Sequence, residues 1–230
     1  MKQLLQQQCD CNWAIAQEGL SQPYGAGVGR TLCQSGNASD WRISCCAAAA
    51  AGSDARMNGC ELPVIINSGS GNQGLTCSLP VLEYAKELNV DREKMYRALA
   101  LSNLVAIHQK TGIGRLSAYC GAVSAGAAAG AGIAYLCGGG YKEITHTVVN
   151  ALAIVSGMVC DGAKASCAAK IAASVDAGIL GYHMYMQGQQ FYGGDGIITK
   201  GVEKTIANVG RLGKEGMRET NEEIIKIMVE

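Results

Sequence analysis

The sequence predicts an all-α, or predominantly α, fold: a compact helical domain rich in alanine and glycine. Several segments carry apolar residues at helical spacing, and no convincing alternation of apolar and polar residues, the pattern typical of a half-buried strand, interrupts them. The 31 glycines and the long alanine runs, against a single phenylalanine, indicate that the helices approach one another closely. With 230 residues, the chain is long enough to bury a substantial core, and residues 1–230 are predicted to form one domain.

The first predicted helix spans residues 2–19, where apolar residues form an imperfect stripe. Residues 22–30 (QPYGAGVGR) then place glycine at alternate positions, which suits a turn. That turn is either a plain connector or a close approach of the backbone to a ligand. A helix over residues 41–57 follows, with Ser39 or Asp40 as its N-cap.

A polar loop is predicted at residues 63–74 (PVIINSGSGNQG), followed by a helix over residues 75–88. Asp91 caps an amphipathic helix that runs to residue 109, with Leu104 and Ile107 on its apolar side. His108 and Lys110 fall at its end, where cations complement the helix dipole. Five further helices are predicted: one that carries Cys120 and ends near residue 136, one at residues 141–159, one that carries Cys167 and ends near residue 185, and two at residues 200–212 and 215–228.

Charge and cysteine content limit the function classes. Nineteen basic and nineteen acidic residues cancel, so no electrostatic footprint for nucleic acid or an anionic membrane is present. Residues 116–141 lack charge, yet their many Gly, Ala and Ser favour a buried helix over a membrane span. Eleven cysteines without a signal peptide indicate a reducing cytoplasm, where clustered thiols more often bind metal or catalyse reactions than form disulfides.

Most of the cysteines are interpreted as small core residues. Cys45 and Cys46 are adjacent, so their side chains diverge by about 100° on a helix and make poor joint ligands. Four others show no ligand-like spacing with one another and are assigned to core packing by default: Cys33, Cys60, Cys77 and Cys137.

The polar loop is the candidate substrate site. Glycines and hydrogen-bond donors that precede a helix N-terminus form a nest able to hold a carboxylate through backbone N–H groups. A plain turn followed by a helix cap is the alternative. The candidate residues are Asn67, Ser68, Gly69, Ser70, Gly71, Asn72 and Gln73.

Cys120, Cys160 and Cys167 are the candidate metal ligands. Their spacing matches no zinc-finger or ferredoxin pattern, and a zinc site would usually need a fourth ligand, such as His108 or His146. Three thiolates that leave one iron of a cluster open suit Lewis-acid chemistry instead, because a substrate can then occupy the open position.

Four segments carry a resemblance to a known family. They are NSGSGNQGLTCSLPV (residues 67–81), GRLSAYCGAVSAG (114–126), SGMVCDGAKASCAAK (156–170) and GRLGKEGM (210–217). From residue 13 onward the chain resembles the serine dehydratase alpha-domain family, most closely its branch of L-cysteine desulfidases and related proteins. The resemblance implies a helical fold and a [4Fe-4S] cluster on Cys120, Cys160 and Cys167. It also implies cleavage of L-cysteine to pyruvate, ammonia and sulfide without pyridoxal phosphate.

The resemblance leaves several assignments open. L-serine dehydration is the neighbouring activity, and a non-catalytic domain or subunit that binds a small ligand or metal is the alternative of a different class. Arg115, Asp161 and Lys164 are candidates to orient the cluster site, with structural ion pairs as the alternative. No nucleic acid or membrane partner is expected.

The resemblance also implies a part that this chain lacks. Full-length desulfidases carry a further N-terminal portion, which includes a cysteine implicated as the catalytic base. Cys9 and Cys11 do not stand in that motif, so the base is assigned to no residue. We therefore expect either a fragment or divided subunit, whose N-terminal portion a separate chain could supply, or a shortened protein with incomplete activity. A homo-oligomer is the other expected assembly.

Overall fold

The computed structural model describes residues 1–35 and 40–230, and within those ranges the chain is all-α, with ten α-helices, one π-helical turn and no strand. The helices are α1 (Lys2–Ser21), α2 (Val28–Ser35), α3 (Trp41–Met57), α4 (Gly71–Glu87), α5 (Arg92–Ile113), α6 (Gly121–Leu136), α7 (Tyr141–Val155), α8 (Cys167–Met186), α9 (Val202–Arg211) and α10 (Arg218–Val229). The π-helical turn, Leu212–Gly216, joins α9 to α10. The predicted fold class is confirmed.

The predicted N-caps of two helices are confirmed. The side chain of Asp40 accepts a hydrogen bond from the backbone N–H of Arg42 at 2.9 Å at the start of α3, and that of Asp91 accepts one from Lys94 at 2.9 Å at the start of α5. Each bond satisfies one of the donors that a helix N-terminus leaves without an intrahelical partner. Ser39, the alternative cap of α3, lies outside the described residues.

Helix α2 is the element that the sequence analysis missed, because residues 22–30 were predicted as a turn throughout. The turn ends at residue 27, and the helix begins at Val28. Its first turn is held from another helix, since the backbone N–H of Gly29 donates to the carboxylate of the buried Asp54 on α3 at 2.9 Å. A cap supplied from a distant position in the chain leaves no local signal.

Several other predicted boundaries are wrong. Helix α7, for example, ends at Val155 rather than at residue 159. Helix α4 begins at Gly71 rather than near residue 75, because the Ser70 hydroxyl accepts a hydrogen bond from the backbone N–H of Gln73 at 3.5 Å and caps the helix there. Helix α5 continues through Gly112 and ends only at Ile113, before Gly114 adopts a φ of 90°. A positive φ is open to glycine at little cost, and it ends the helix.

Some predicted core residues are exposed. Cys45, Cys46 and Cys77 are buried as expected, but Cys33 and Cys137 are exposed and Cys60 is half-buried. Leu104 and Ile107 on α5 also lie at the surface, 61% and 45% exposed, because the buried side of α5 faces α6. No helix in the described ranges is both long enough and apolar enough to cross a bilayer.

Helix α6 forms the centre of the core and packs against α4, α5, α7 and α8. Its closest approach is to α8, where a Cβ at Gly130 would lie 2.6 Å from the carbonyl oxygen of Gly178, and a Cβ at Gly126 would overlap the backbone of Ser174. Gly126 meets Ser174, and Gly130, one turn later, meets Gly178. The residue numbers at the contacts thus increase in the same direction along both helices, so α6 and α8 run parallel. Their N-termini therefore lie at the same end of the molecule.

We predict that Gly178→Ala destabilises the protein by about 1–3 kcal/mol, because the added methyl group would overlap the carbonyl oxygen of Gly126. The free energy of unfolding in urea measures the effect. Gly157→Ala is the matched control: a Cβ there meets no atom within 4 Å, so its stability should change by less than about 0.5 kcal/mol. Equal stability of the two variants would contradict the close packing of α6 on α8.

Candidate functional site

Two of the candidate ligand cysteines are held side by side by backbone pairing. The backbone N–H of Cys120 donates to the carbonyl oxygen of Met158 at 3.1 Å, and the backbone N–H of Cys160 donates to the carbonyl oxygen of Ala118 at 2.6 Å. Together these bonds form an isolated antiparallel bridge between two segments that are distant in sequence. The positions of both cysteines are thus set by the backbone.

The thiols of Cys120 and Cys160 interact directly. A hydrogen bond from the Cys120 thiol lowers the pKa of Cys160, and the same bond, together with burial, raises the pKa of Cys120. A thiolate, rather than a thiol, is the form that binds metal.

Cys167 joins the pair through the position of α8, of which it is the first residue. Its Sγ accepts a hydrogen bond from the backbone N–H of Lys164 at 3.5 Å, while Cys120 is the residue that precedes α6. Because α6 and α8 are parallel, both helices direct their N-termini, and hence their partial positive charge, toward these sulfur atoms. A negatively charged group bound at this end of the two helices is therefore stabilised by their dipoles.

One cleft of about 460 Å³ brings the three cysteines together with part of the predicted substrate loop. Cys120, Cys160 and Cys167 all line it. The N-terminus of α4 opens onto the same cleft, so three helices present N-terminal N–H groups there. The four loop residues that line it are Gly69, Ser70, Asn72 and Gln73.

The other three loop residues have structural contacts. The buried Asn67 donates to the backbone and side-chain oxygens of Asn103 on α5 at 3.2 and 3.0 Å, and the Ser68 hydroxyl donates to Asn67. Gly71 lies under the side chain of Arg56, which leaves no room for a Cβ there. These residues shape the loop, and the cleft is lined by their neighbours.

The charged side chains of the cleft are cations. Arg56, Lys110 and Arg115 line it, and no aspartate or glutamate among the described residues does. Of the sequence candidates, only Arg115 reaches the cleft. Asp161 forms an ion pair with Lys170, and the hydrogen bond in that pair lowers the pKa of Asp161.

Neither histidine considered as a fourth zinc ligand reaches the cysteines. His108 lies at the surface and pairs with Glu203 at 2.8 Å, and His146 stacks on Tyr185 with ring centroids 4.4 Å apart. Neither side chain lines the cleft. In this structure, therefore, neither histidine is placed to be the fourth ligand of a zinc ion bound by the three cysteines.

The C-terminal helix covers the cleft, although its even mixture of Lys, Arg and Glu predicts a solvated face. Asn221, Ile224, Ile225 and Met228 of α10 line the cleft, and the Cε of Met228 lies 3.3 Å from the position of a Cβ at Gly162. No residue of α10 is buried, and among the described elements its backbone lies close only to the π-helical turn. The spacing of the four residues, on one side of a helix, was the available signal.

The residues of the cleft fit a [4Fe-4S] cluster with one open iron. Three cysteines are present, two at helix N-termini, with cations around them. No group of three His, Cys, Asp or Glu in the described ranges converges on a single metal ion. A cluster does not require one, because each cysteine binds a different iron atom.

Comparison with known proteins gives a family match over nearly the whole chain. Residues 1–226 match the family model described as "Serine dehydratase alpha chain". A UPF0597 protein of Desulfitobacterium hafniense (strain Y51) is 67% identical over 230 residues, which cover 100% of this chain and 53% of that protein. No solved structure matches the chain.

Two further relatives have the same extent of match. UPF0597 proteins of Lachnoclostridium phytofermentans and Finegoldia magna are 58% and 50% identical over 229 and 230 residues. Each alignment covers 100% of this chain and 55% of the relative. The chain spans about half the length of the curated relatives it matches.

We predict that deletion of residues 218–230 leaves the fold intact and raises the alkylation rate of Cys160 and Cys167 severalfold, because α10 covers the cleft and buries none of its own residues. Iodoacetamide labelling of the metal-free chain, followed by mass spectrometry, measures each rate. The exposed Cys33 is the internal control and should keep its rate. Unchanged rates at all three cysteines would contradict the covering role of α10.

Proposed function

Because the chain belongs to the serine dehydratase alpha chain family, we propose that it carries a [4Fe-4S] cluster on Cys120, Cys160 and Cys167 and serves a lyase that acts on L-cysteine. The observation that carries the proposal is the cleft in which those cysteines, three helix N-termini and the loop residues meet. The products are pyruvate, ammonia and sulfide. The chain spans about half of its relatives, so the activity proposed is that of the whole protein.

The reaction is an elimination across the Cα–Cβ bond. Loss of the Cα proton and of the sulfur group from Cβ leaves 2-aminoacrylate, which tautomerises to an imine, and water then hydrolyses the imine to pyruvate and ammonium. When bound, the cluster supplies an open iron, a Lewis acid that stabilises the leaving group. The protein must in addition bind the substrate, compensate negative charge and exclude water.

The residues of this chain perform those tasks. At the N-terminus of α4, Ser70, Asn72 and Gln73 form hydrogen bonds with the polar groups of the amino acid. The N-termini of α6 and α8 stabilise negative charge on the cysteine sulfur atoms. Ile224, Ile225 and Met228 on α10 cover the reactants and limit the access of water. No residue of this chain is proposed as the base.

L-serine is the second candidate substrate, since its dehydration follows the same elimination with hydroxide in place of sulfide. The observation in its favour is the family description itself, which names serine dehydratase. A chain that binds an amino acid without turning it over is the non-catalytic alternative. Two kinds of partner belong to the same proposal: a separate chain that supplies the rest of the relatives' length, and a second copy of this chain in a homo-oligomer.

The activity test uses the chain purified and reconstituted without oxygen. L-cysteine should yield sulfide and pyruvate in equal amounts, and L-serine should yield pyruvate alone if it is also a substrate. A protein that carries the cluster and binds L-cysteine, but releases neither product even when the rest of the relatives' length is supplied as a separate chain, would favour the non-catalytic alternative.

We predict that Cys160→Ala abolishes the brown iron–sulfur absorbance and most of the bound iron, because a cluster that loses one of three thiolate ligands is poorly held. Iron content and visible absorbance after anaerobic reconstitution measure the effect. Cys33→Ala removes an exposed thiol on α2, away from the cleft, and should leave both quantities unchanged. Equal iron in the two variants would show that the cluster ligands are elsewhere.

A further inference from the structure

Lys110 is a largely buried lysine whose ammonium has neither a carboxylate nor a hydrogen-bond acceptor as a partner within the described residues. It lies in the last turn of α5, its side chain lines the cleft, and the residue is 7% exposed. No carboxylate in the described ranges lies within ion-pair distance of its Nζ, and no hydrogen-bond acceptor there contacts it. Burial lowers its pKa, as expected for a cation largely removed from water, while the nearby Cys160 and Cys120 act in the opposite direction.

The other cations of the cleft are placed differently. The guanidinium of Arg56 donates to the side-chain oxygen of Asn72 at 3.2 Å, and Arg115 lies at the surface. Water solvates an exposed arginine, whereas a buried and unpaired ammonium carries a desolvation cost that only an anion or a strong acceptor offsets. Among the described residues that line the cleft, Lys110 alone is a buried cation without a protein partner.

The helix dipoles indicate that the ligand group bound in the cleft carries a negative charge. Three helix N-termini face the cleft and add partial positive charge to that of the lysine, while no acidic side chain of the described chain lines it. The cysteine thiolates account for one part of the expected negative charge, and the N-termini of α6 and α8 face them. Lys110, which comes from α5, lies near enough to Cys160 and Cys120 to feel their charge, but no hydrogen bond or ion pair in the described chain engages its ammonium, so its donors are open to an anion that arrives with the ligand.

We propose that Lys110 holds the carboxylate of an α-amino-acid substrate. The inference rests on the proposed function and makes it more specific, because it assigns the carboxylate to one side chain. A charge-assisted hydrogen bond between ammonium and carboxylate is short and strong in a site from which water is excluded. Lys110 is thus a positioning residue for the substrate.

The test measures binding of two ligands that cannot undergo the elimination, L-alanine and its neutral amide, L-alaninamide. Calorimetry on the full chain, with and without the cluster, should give L-alanine a preference of about 10- to 100-fold, the range expected for a hydrogen bond to a charged group. Lys110→Met should erase the preference by weakening L-alanine alone. Lys110→Arg, which keeps the cation, should retain part of it.

Lys94→Met is the matched control, because it makes the same change near the other end of α5, away from the cleft. It should leave the preference for L-alanine intact. Lys110→Met should also keep or raise the thermal midpoint of unfolding, since an apolar side chain of similar length replaces a buried, unpaired cation. A lysine with a merely structural role would instead lower that midpoint when removed.

The inference is overturned if the native chain shows no preference for L-alanine, or if Lys110→Met weakens both ligands equally. Equal weakening would mean that Lys110 compensates the sulfur atoms or shapes the cleft. The proposed function fails by different measurements, namely absence of bound iron and absence of sulfide release. A chain that lacks both but whose L-alanine preference depends on Lys110 would refute the lyase proposal and support the carboxylate assignment.

Discussion

The antiparallel pairing of residues 118–120 with residues 158–160 is the constraint on which the rest of the site depends. Two backbone hydrogen bonds hold Cys120 beside Cys160, although a helical hairpin of α6 and α7 separates them in the chain. Because the bonds involve only main-chain atoms, the cysteine side chains remain free to act. The bridge also fixes where α6 begins, and therefore where its N-terminal N–H groups point.

The unusual composition has its physical reason in the approach of α6 to α8. Glycine at the contacts allows the two backbones to lie closer than larger side chains would permit, and the helices can then run parallel with both N-termini at one end. Parallel neighbours place like ends of their dipoles together, which is unfavourable in isolation. An anionic group at that end, such as a set of thiolates, offsets the repulsion.

The cleft therefore combines features that cost stability with features useful for binding an anion. A buried lysine without a protein partner and three converging helix N-termini are unfavourable while the site is empty of negative charge. Both become favourable when thiolates and a carboxylate are present. The covering helix α10, with no buried residue of its own, suits a site that must open for its ligand and exclude water afterwards.

The sequence by itself determined the helical class, most helix positions, the caps at Asp40 and Asp91, and three cysteines worth testing as ligands, because periodicity, capping and motif resemblance are local properties. Only the tertiary structure decided that Asp54 caps α2 and that Asn67 supports the loop. It alone also decided that α10 covers the cleft and that Lys110 is buried without a partner. Burial and pairing depend on residues distant in the chain, so no local pattern encodes them. In the sequence, Lys110 is indistinguishable from any basic residue near a helix C-terminus.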